Sequence, residues 1–217
     1  MSTLIFGTSY VGDQHSRYVF GLWRELVLRL NPGTDVLVVD SASPYLPSTE
    51  GCELIQLGNN IGHLSRGGRD GWGRAFCAGI QYALDRDYEW VVHVETDLLF
   101  ARPVADTLRK MTDSSVDAAC PMAYPHPFAE TALMFLRVPM LAYDRFVQRY
   151  DWENSPVTPL PEARCEEILG DALFYLPLKG HRNDLNQVTA KNMPRLDWLT
   201  HCTDPALYRE FLRVNNG

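Results

Sequence analysis

Short apolar runs alternate with amphipathic segments of helical period through the first half of the chain, and this alternation limits the possible folds more than any other feature. The runs predict buried strands at residues 4–6, 36–39, 54–57 and 90–94. Between them, apolar residues recur every three or four positions at residues 19–30 and 72–84, and Pro103 is placed to begin a further helix. The alternation predicts the α/β class, with a mostly parallel central sheet flanked by helices.

The second half has a looser pattern. Strands are predicted at residues 118–123 and 133–138, and helices at residues 141–150 and 163–176, with a proline-rich loop at residues 154–162. Gly170 is a candidate break in the second of these helices. No linker divides the chain, and 217 residues suit one domain. We therefore expect a single domain over residues 1–217, composed of a regular half, 1–105, and a second half, 106–217.

Composition excludes several classes of protein. The net charge of −7 is opposite in sign to that of a typical non-specific nucleic-acid binder. No apolar stretch approaches the length of a membrane span, and the N-terminus lacks the basic start and apolar centre of a signal peptide. The five cysteines form no C-x-x-C pair, which favours buried free thiols. These features predict a protein that acts in the cytoplasm, or as one module of a larger assembly.

Polar residues follow four of the predicted strands. They include Thr8 and Tyr10 after the first strand, Asp40 after the second, and Glu95 and Asp97 after the fourth. In parallel α/β sheets, ligands bind beyond the carboxyl ends of the strands. Turn chemistry alone would also place polar residues there, but their coincidence at one edge indicates a binding site.

Glu95 and Asp97 give the sharpest chemical signal. Alternate residues of an extended segment point the same way, so both carboxylates would face one side. Oxygen ligands of this kind suit Mg²⁺ or Mn²⁺, which also bridge nucleotide phosphates. The simpler interpretation is a solvated turn at a strand end. The apolar runs on both sides argue against it, because an unpaired charge between them would be destabilising.

A glycine-rich segment from Gly58 to Gly73 carries several cations. Arg66, Arg69 and Arg74 lie in or next to it, and arginine can donate paired hydrogen bonds to phosphate oxygens. Glycines let backbone amides approach an anion. The segment predicts an anion site, although it matches neither of the common phosphate-loop fingerprints, and a flexible loop with solvated charges is the alternative.

Isolated residues elsewhere are less informative. Asp40 would accept a hydrogen bond from a nucleobase or ribose, or cap the next turn. His201 is a candidate ligand, although a lone histidine is more often structural. Asp171 is a candidate general base, or a helix cap after Gly170. Its rivals among the acids of the second half are Glu130, Glu166 and Glu167.

Three stretches together resemble the glycosyltransferases of the GT-A fold, especially the family-2-like group. They are VVDSAS, with one acid of the usual pair missing, NNIGHLSRGGRDGWGRAFCAGI, and WVVHVETDLLFARPV, in which Glu95 replaces the first Asp of a D-x-D motif. The resemblance spans roughly residues 3–105. Beyond it, the similarity is limited to Asp171, where the usual base motif reads Gly-Asp, and to His201.

The resemblance implies a nucleotide-diphosphate sugar as donor, Mn²⁺ or Mg²⁺, and a glycan or glycolipid acceptor. Residues 1–105 would bind the donor and residues 106–217 the acceptor. The implied roles are nucleoside binding for Thr8, Tyr10 and Asp40, diphosphate binding for Arg66, Arg69 and Arg74, and metal ligation for Asp97. His201 would contact the metal or the diphosphate, and Glu95 the ribose or a metal-bound water.

Asp171 would be the catalytic base of the implied reaction. A base on the face of the sugar opposite the leaving group gives inversion, which is slightly favoured, whereas the absence of a base there opens a retaining route. Two other functions fit the same nucleotide-binding sheet: a nucleotidyltransferase that makes sugar nucleotides, and a non-catalytic nucleotide-sugar or carbohydrate-binding domain. The N-terminal turn lacks the lysine that the first of these normally uses.

Overall fold

A computed structural model describes residues 1–45, 48–61, 70–154 and 160–215. The strands are β1 (Thr3–Ser9), β2 (Asp35–Asp40), β3 (Glu53–Gln56), β4 (Trp90–Val94), β5 (Leu99–Phe100), β6 (Ala118–Pro121), β7 (Leu133–Arg137), β8 (Leu173–Leu176), β9 (Gly180–Arg182) and β10 (Trp198–Thr200). The helices are α1 (Gln14–Leu30), α2 (Gly71–Asp85), α3 (Val104–Asp113), α4 (Val138–Tyr143), α5 (Phe146–Tyr150), α6 (Pro161–Leu169) and α7 (Pro205–Asn215), with short 3₁₀ helices η1 (Gly170–Ala172) and η2 (Asn183–Leu185).

Seven strands form the central sheet in the order β3-β2-β1-β4-β7-β6-β8. All neighbouring pairs are parallel except those of β7, which is antiparallel to both β4 and β6. The predicted α/β class with a mostly parallel sheet is therefore confirmed. Because β7 is antiparallel to both of its neighbours, β6 and β8 run in the same direction as β4. The carboxyl ends of the six strands other than β7 therefore lie at one edge of the sheet.

Both faces of the sheet are covered by helices, which explains why the strands are apolar at almost every position. One face packs against α1, α3 and α7, and the other against α2, α4, α5 and α6. Along β1, Ile5 lies in the first core, and Leu4 and Phe6 lie in the second. Helix α1 begins at a capping box in which Asp13 accepts a hydrogen bond from the Ser16 amide at 2.7 Å.

Two predicted helices of the second half differ from the structure. The segment 141–150 divides into α4 and α5, because Arg145 takes a left-handed conformation with φ of 53°. The predicted helix 163–176 is wrong beyond Leu169. Gly170, with φ of +51°, ends the helix, and residues 173–176 form an edge strand that pairs with β6.

A second, smaller sheet was not predicted from the sequence. Its strand order is β5-β10-β9, and each strand has only two or three residues, too few for a recognisable alternation. Trp198 of β10 is fully buried in the first core. The longest described helix, α1, has 17 residues, and none of the described helices combines the length and apolar character needed to cross a bilayer.

Gly79 allows α2 to approach β1 closely, and its replacement by Ala is expected to destabilise the protein. A Cβ atom there would lie 2.3 Å from the ring of Phe6, which is fully buried. We expect Gly79→Ala to lower the free energy of unfolding by about 2 kcal/mol, measured by urea denaturation. Gly21→Ala is the matched control, because this helical glycine has no atom within 4 Å of the same position. The control should be stabilised by up to about 1 kcal/mol, and equal effects of the two changes would contradict the packing argument.

Candidate active site

A cleft of about 720 Å³ lies at the carboxyl ends of β1 and β4. Three segments that are distant in sequence form most of its lining: residues 8–10 at the end of β1, 95–97 after β4, and 201–203 after β10. Trp72 and Ala75 of α2 close one side. The cleft therefore collects Thr8, Tyr10, Glu95, Asp97 and His201, five of the residues that the sequence singled out.

His201 comes to the cleft through the pairing of the second sheet. Trp198 pairs with Phe100 and Leu199 with Leu99 in antiparallel register, and His201 follows the end of β10 with a left-handed φ of 56°. The Thr200 hydroxyl donates a hydrogen bond to Asp97 Oδ1 at 3.0 Å. Short β-strands thus bring a residue more than one hundred positions away to the end of β4.

The two acids are electrostatically coupled. Burial raises the pKa of Glu95 well above its ordinary value, and the neighbouring charges of Asp97 and Glu130 raise it further. Arg182 and a hydrogen bond with Trp72 act in the opposite direction. Both acids line the cleft and are partly exposed to it. A divalent cation bound between them would relieve the repulsion that raises the pKa.

The residues fit a divalent cation by their chemistry, since carboxylate oxygens and an imidazole nitrogen are suitable ligands for Mn²⁺. Within the described ranges, however, no three His, Cys, Asp or Glu side chains are grouped closely enough to hold a metal ion. The assignment of Glu95, Asp97 and His201 as metal ligands therefore stays a prediction.

A buried histidine fixes the orientation of Thr8. His93 is fully buried, and its Nδ1 lies 2.7 Å from the carbonyl oxygen of Thr131. A carbonyl only accepts, so Nδ1 carries the proton and Nε2 accepts from the Thr8 hydroxyl at 3.1 Å. Burial lowers the pKa of His93 to about 3, although the hydrogen bond with Thr131 raises it. A neutral imidazole thus connects the ends of β1, β4 and the segment before β7.

His93 is expected to make the protein less stable in acid. Below a pH of about 6.5 the unfolded chain binds a proton at this histidine that the native chain does not bind, until the pH approaches the native pKa of about 3. The free energy of unfolding should therefore fall as the pH falls, by about 2 kcal/mol between pH 7 and pH 5 from this group alone.

The comparison of wild type with His93→Gln tests this expectation. The variant should be less stable than wild type at pH 7, because hydrogen bonds to Thr8 and Thr131 are altered. Its stability should decline less steeply on acidification. Parallel pH profiles from chemical denaturation would show that His93 is not the titrating group.

Other predicted residues lie away from the cleft lining. The Asp40 carboxylate is fully buried and accepts hydrogen bonds from the amide and hydroxyl of Ser43, the turn-capping role weighed above; its neighbour Ser41 lines the cleft. The Arg74 guanidinium donates to Asn59 Oδ1 at 2.8 Å and lies 5.5 Å from the centre of the Trp152 ring. Arg66 and Arg69 fall outside the described residues.

Asp171 lies at the opposite edge of the sheet from Glu95 and Asp97. It is exposed in η1, immediately before β8, and β8 runs parallel to β6 with Leu173 opposite Ala118 at their amino ends. The cleft is at the carboxyl ends of the strands. The structure therefore does not bring Asp171 to the other candidate residues.

A buried ionic cluster next to the cleft was not predicted as a unit. Arg182 of β9 contacts Glu130 at 3.3 Å and Glu162 at 3.0 Å, and Glu130 is fully buried. Burial raises the pKa of Glu130 to about 7, although the charge of Arg182 lowers it. The sequence marked Glu130 as an acid before a buried strand, but no local pattern indicates Arg182, because its partners are contacts distant in sequence.

The sheet order, the cleft at the strand ends and the acidic pair after β4 define a protein with the GT-A fold. Solved glycosyltransferase structures share this architecture. The bifunctional glycosyltransferase WbbM matches with a TM-score of 0.60 and 9% identity, covering 99% of this chain and 49% of that one. Galactosyltransferase LgtC, in complex with donor and acceptor sugar analogues, matches with a TM-score of 0.57 and 12% identity, covering 99% of this chain and 95% of that one.

A mannosyltransferase from Pyrobaculum calidifontis, in complex with GDP-Man and Mn²⁺, matches with a TM-score of 0.53 and 14% identity, covering 81% of this chain and 55% of that one. The chain thus spans about half the length of this protein and of WbbM. No protein-family model matches the sequence, and no curated protein sequence matches it. At these identities the similarity establishes the fold.

Proposed function

We propose that the protein is a metal-dependent glycosyltransferase that moves a sugar from a nucleotide-diphosphate donor to a hydroxyl group of a glycan or glycolipid. The observation that carries the proposal is the meeting of Glu95, Asp97 and His201 at one cleft, beyond the strand ends of a GT-A fold. Residues 1–105 would bind the donor and residues 106–217 the acceptor, within one cytoplasmic domain.

Each cleft residue has a role in this proposal. Thr8 and Tyr10 would contact the nucleoside, since Thr8 lies near the end of β1 and Tyr10 just after it, both line the cleft, and Tyr10 is 47% exposed. Asp97, Glu95 and His201 would hold Mn²⁺ or Mg²⁺. The bound cation would supply positive charge next to the leaving diphosphate, where negative charge develops as the sugar–phosphate bond breaks.

The arginines and Asp40 would act around the cleft. Arg66, Arg69 and Arg74 are proposed near the diphosphate. Support for Arg74 is its hydrogen bond to Asn59, because the next residue, Asn60, lines the cleft. Asp40 would act indirectly, by holding the turn that contains Ser41.

We assign no catalytic role to Asp171, because its place at the opposite edge of the sheet keeps it from a donor in the cleft. An inverting reaction would need a different base on the face of the sugar opposite the diphosphate. The predicted preference for inversion thus loses the residue on which it rested.

The direct test is incubation of the protein with nucleotide sugars of different bases and Mn²⁺, with and without EDTA. The proposal predicts release of the nucleoside diphosphate, slowed or stopped by EDTA. Formation of sugar nucleotide from a nucleoside triphosphate and a sugar 1-phosphate would instead identify a nucleotidyltransferase. Binding of a nucleotide sugar with no diphosphate release would identify a non-catalytic domain.

A further inference from the structure

An exposed surface with three large apolar side chains lies next to the cleft on the side of the second half of the chain. Its apolar members are Met122 and Tyr124, which follow β6, and Leu185 of η2. They are exposed by 47%, 60% and 56%, although large apolar side chains usually avoid water. Together with the adjacent pair His126 and Asp184, we name these five residues the platform.

Tyr124 is held firmly although its ring is exposed. The Arg182 amide donates a hydrogen bond to the Tyr124 carbonyl oxygen at 2.8 Å. The ring of Tyr124 packs edge-on against His181, with centroids 5.3 Å apart and planes at 73°. One side of the ring is thus supported by protein, and the ring is presented to solvent in a fixed place.

A carboxylate lies within the same surface. His126 Nε2 lies 3.2 Å from both oxygens of Asp184, and the His126 ring stacks on Phe128 at 5.1 Å. Partial burial works to raise the pKa of Asp184. The hydrogen bond from His126 and the charges of Arg182 and His201 outweigh it and hold that pKa below its ordinary value. Asp184 therefore accepts hydrogen bonds as a carboxylate.

The platform adjoins the cleft through η2. Asn186, the residue after η2, accepts a hydrogen bond at 3.4 Å from Thr203, which lines the cleft. At the sheet edge, β6 is separated from β4 only by β7, so the two strands lie about 10 Å apart.

We propose that the platform is the acceptor subsite, and that it recognises a sugar ring of the acceptor. The apolar face of a sugar would stack on Tyr124, and hydroxyl groups of the same sugar would donate to Asp184. Aromatic rings with a few fixed polar groups beside them are the usual construction of small-molecule sites. This inference rests on the proposed function and adds to it that the carbohydrate part of the acceptor, rather than an attached lipid, is recognised here.

Direct binding of simple sugars tests the proposal without knowledge of the natural acceptor. The probes are methyl glycosides of glucose, galactose, mannose and N-acetylglucosamine at millimolar concentration, observed by saturation-transfer difference NMR. At least one should bind the wild type, with the strongest transfer to the protons of one ring face. Tyr124→Ala should weaken that binding about tenfold or abolish it, and Asp184→Asn should weaken it less.

Tyr143→Ala is the matched control. Tyr143 is 89% exposed on α4, which follows the carboxyl end of the antiparallel strand β7 and therefore lies at the other edge of the sheet. This variant should bind the glycosides as the wild type does. Absence of binding by all four glycosides, or equal binding by wild type and Tyr124→Ala, would overturn the proposal.

Hydrolysis of the nucleotide-sugar donor distinguishes a failure of the proposed function from a failure of the acceptor-subsite proposal. Release of nucleoside diphosphate by hydrolysis of the donor should be the same in Tyr143→Ala and in wild type, because Tyr143 lies at the sheet edge away from the cleft. If wild type binds glycosides at Tyr124 but neither binds nor hydrolyses any nucleotide sugar, the proposed function fails and the platform stands as a carbohydrate site.

Discussion

Asp97→Asn is expected to lower the rate of sugar transfer by about a thousandfold while leaving the fold intact. The loss follows from removing a negative ligand at the point where the cation would neutralise the leaving diphosphate. Asparagine keeps an oxygen that can accept the 3.0 Å hydrogen bond from Thr200. The Tyr208 hydroxyl bonds to the main-chain carbonyl of residue 97 at 2.7 Å, which the substitution does not remove.

The test of this prediction is a measurement of kcat for sugar transfer or donor hydrolysis at saturating Mn²⁺. Circular dichroism checks that the variant is folded. Asp106→Asn is the matched control, because Asp106 is a half-exposed acid of α3 outside the cleft. The control should retain the wild-type rate. A rate for Asp97→Asn within about tenfold of the wild type would exclude a direct role for this carboxylate.

Arg182→Met is expected to destabilise the protein by about 3–5 kcal/mol, a large part of the stability of an ordinary domain. Arg182 is the cation that contacts both Glu130 and Glu162, and its own side chain is only 16% exposed. Its loss leaves two buried carboxylates without their counter-ion. Glu130 is especially sensitive, because one of its oxygens already has no hydrogen-bond partner among the described residues.

The free energy of unfolding from urea denaturation checks this second prediction. The double variant Arg182→Met/Glu130→Gln should recover more than about 1 kcal/mol of the loss, since it removes one of the stranded charges. Arg109→Met is the control, because Arg109 is 70% exposed in a surface pair with Asp106, and we expect a change below about 0.5 kcal/mol. A small effect of Arg182→Met, or no recovery in the double variant, would show that the cluster is solvated.

The first half of the fold follows from local sequence pattern because its elements are long and regular. The apolar residues of α1 and α2 keep the helical period over 17 and 15 residues, and the first, second and fourth strands are buried on both faces. The secondary structure of the second half depends instead on strand pairing between residues distant in sequence. Residues 173–176 form a strand because β6 offers an edge, and Gly170 stops a helix that periodicity alone would continue.

The candidate site could be predicted where its residues follow a single strand. It could not be predicted where contacts between residues distant in sequence determine which residues come together. Glu95 and Asp97 both lie within three residues after β4, so the sequence displays them together. His201 comes to the same cleft through pairing between short strands that no local pattern reveals. The position of Asp171 at the other sheet edge was unpredictable for the same reason, since the direction of β8 depends on pairing.

Binding of Mn²⁺ in the presence of UDP or GDP tests the central claim most directly, with free Mn²⁺ counted by electron paramagnetic resonance. The proposed site predicts about one bound ion per wild-type chain with at least one of the two nucleotides, and strongly weakened binding by Asp97→Asn. Failure of the wild type to bind Mn²⁺ with either nucleotide, or equal binding by Asp97→Asn, would contradict a cation site at the end of β4.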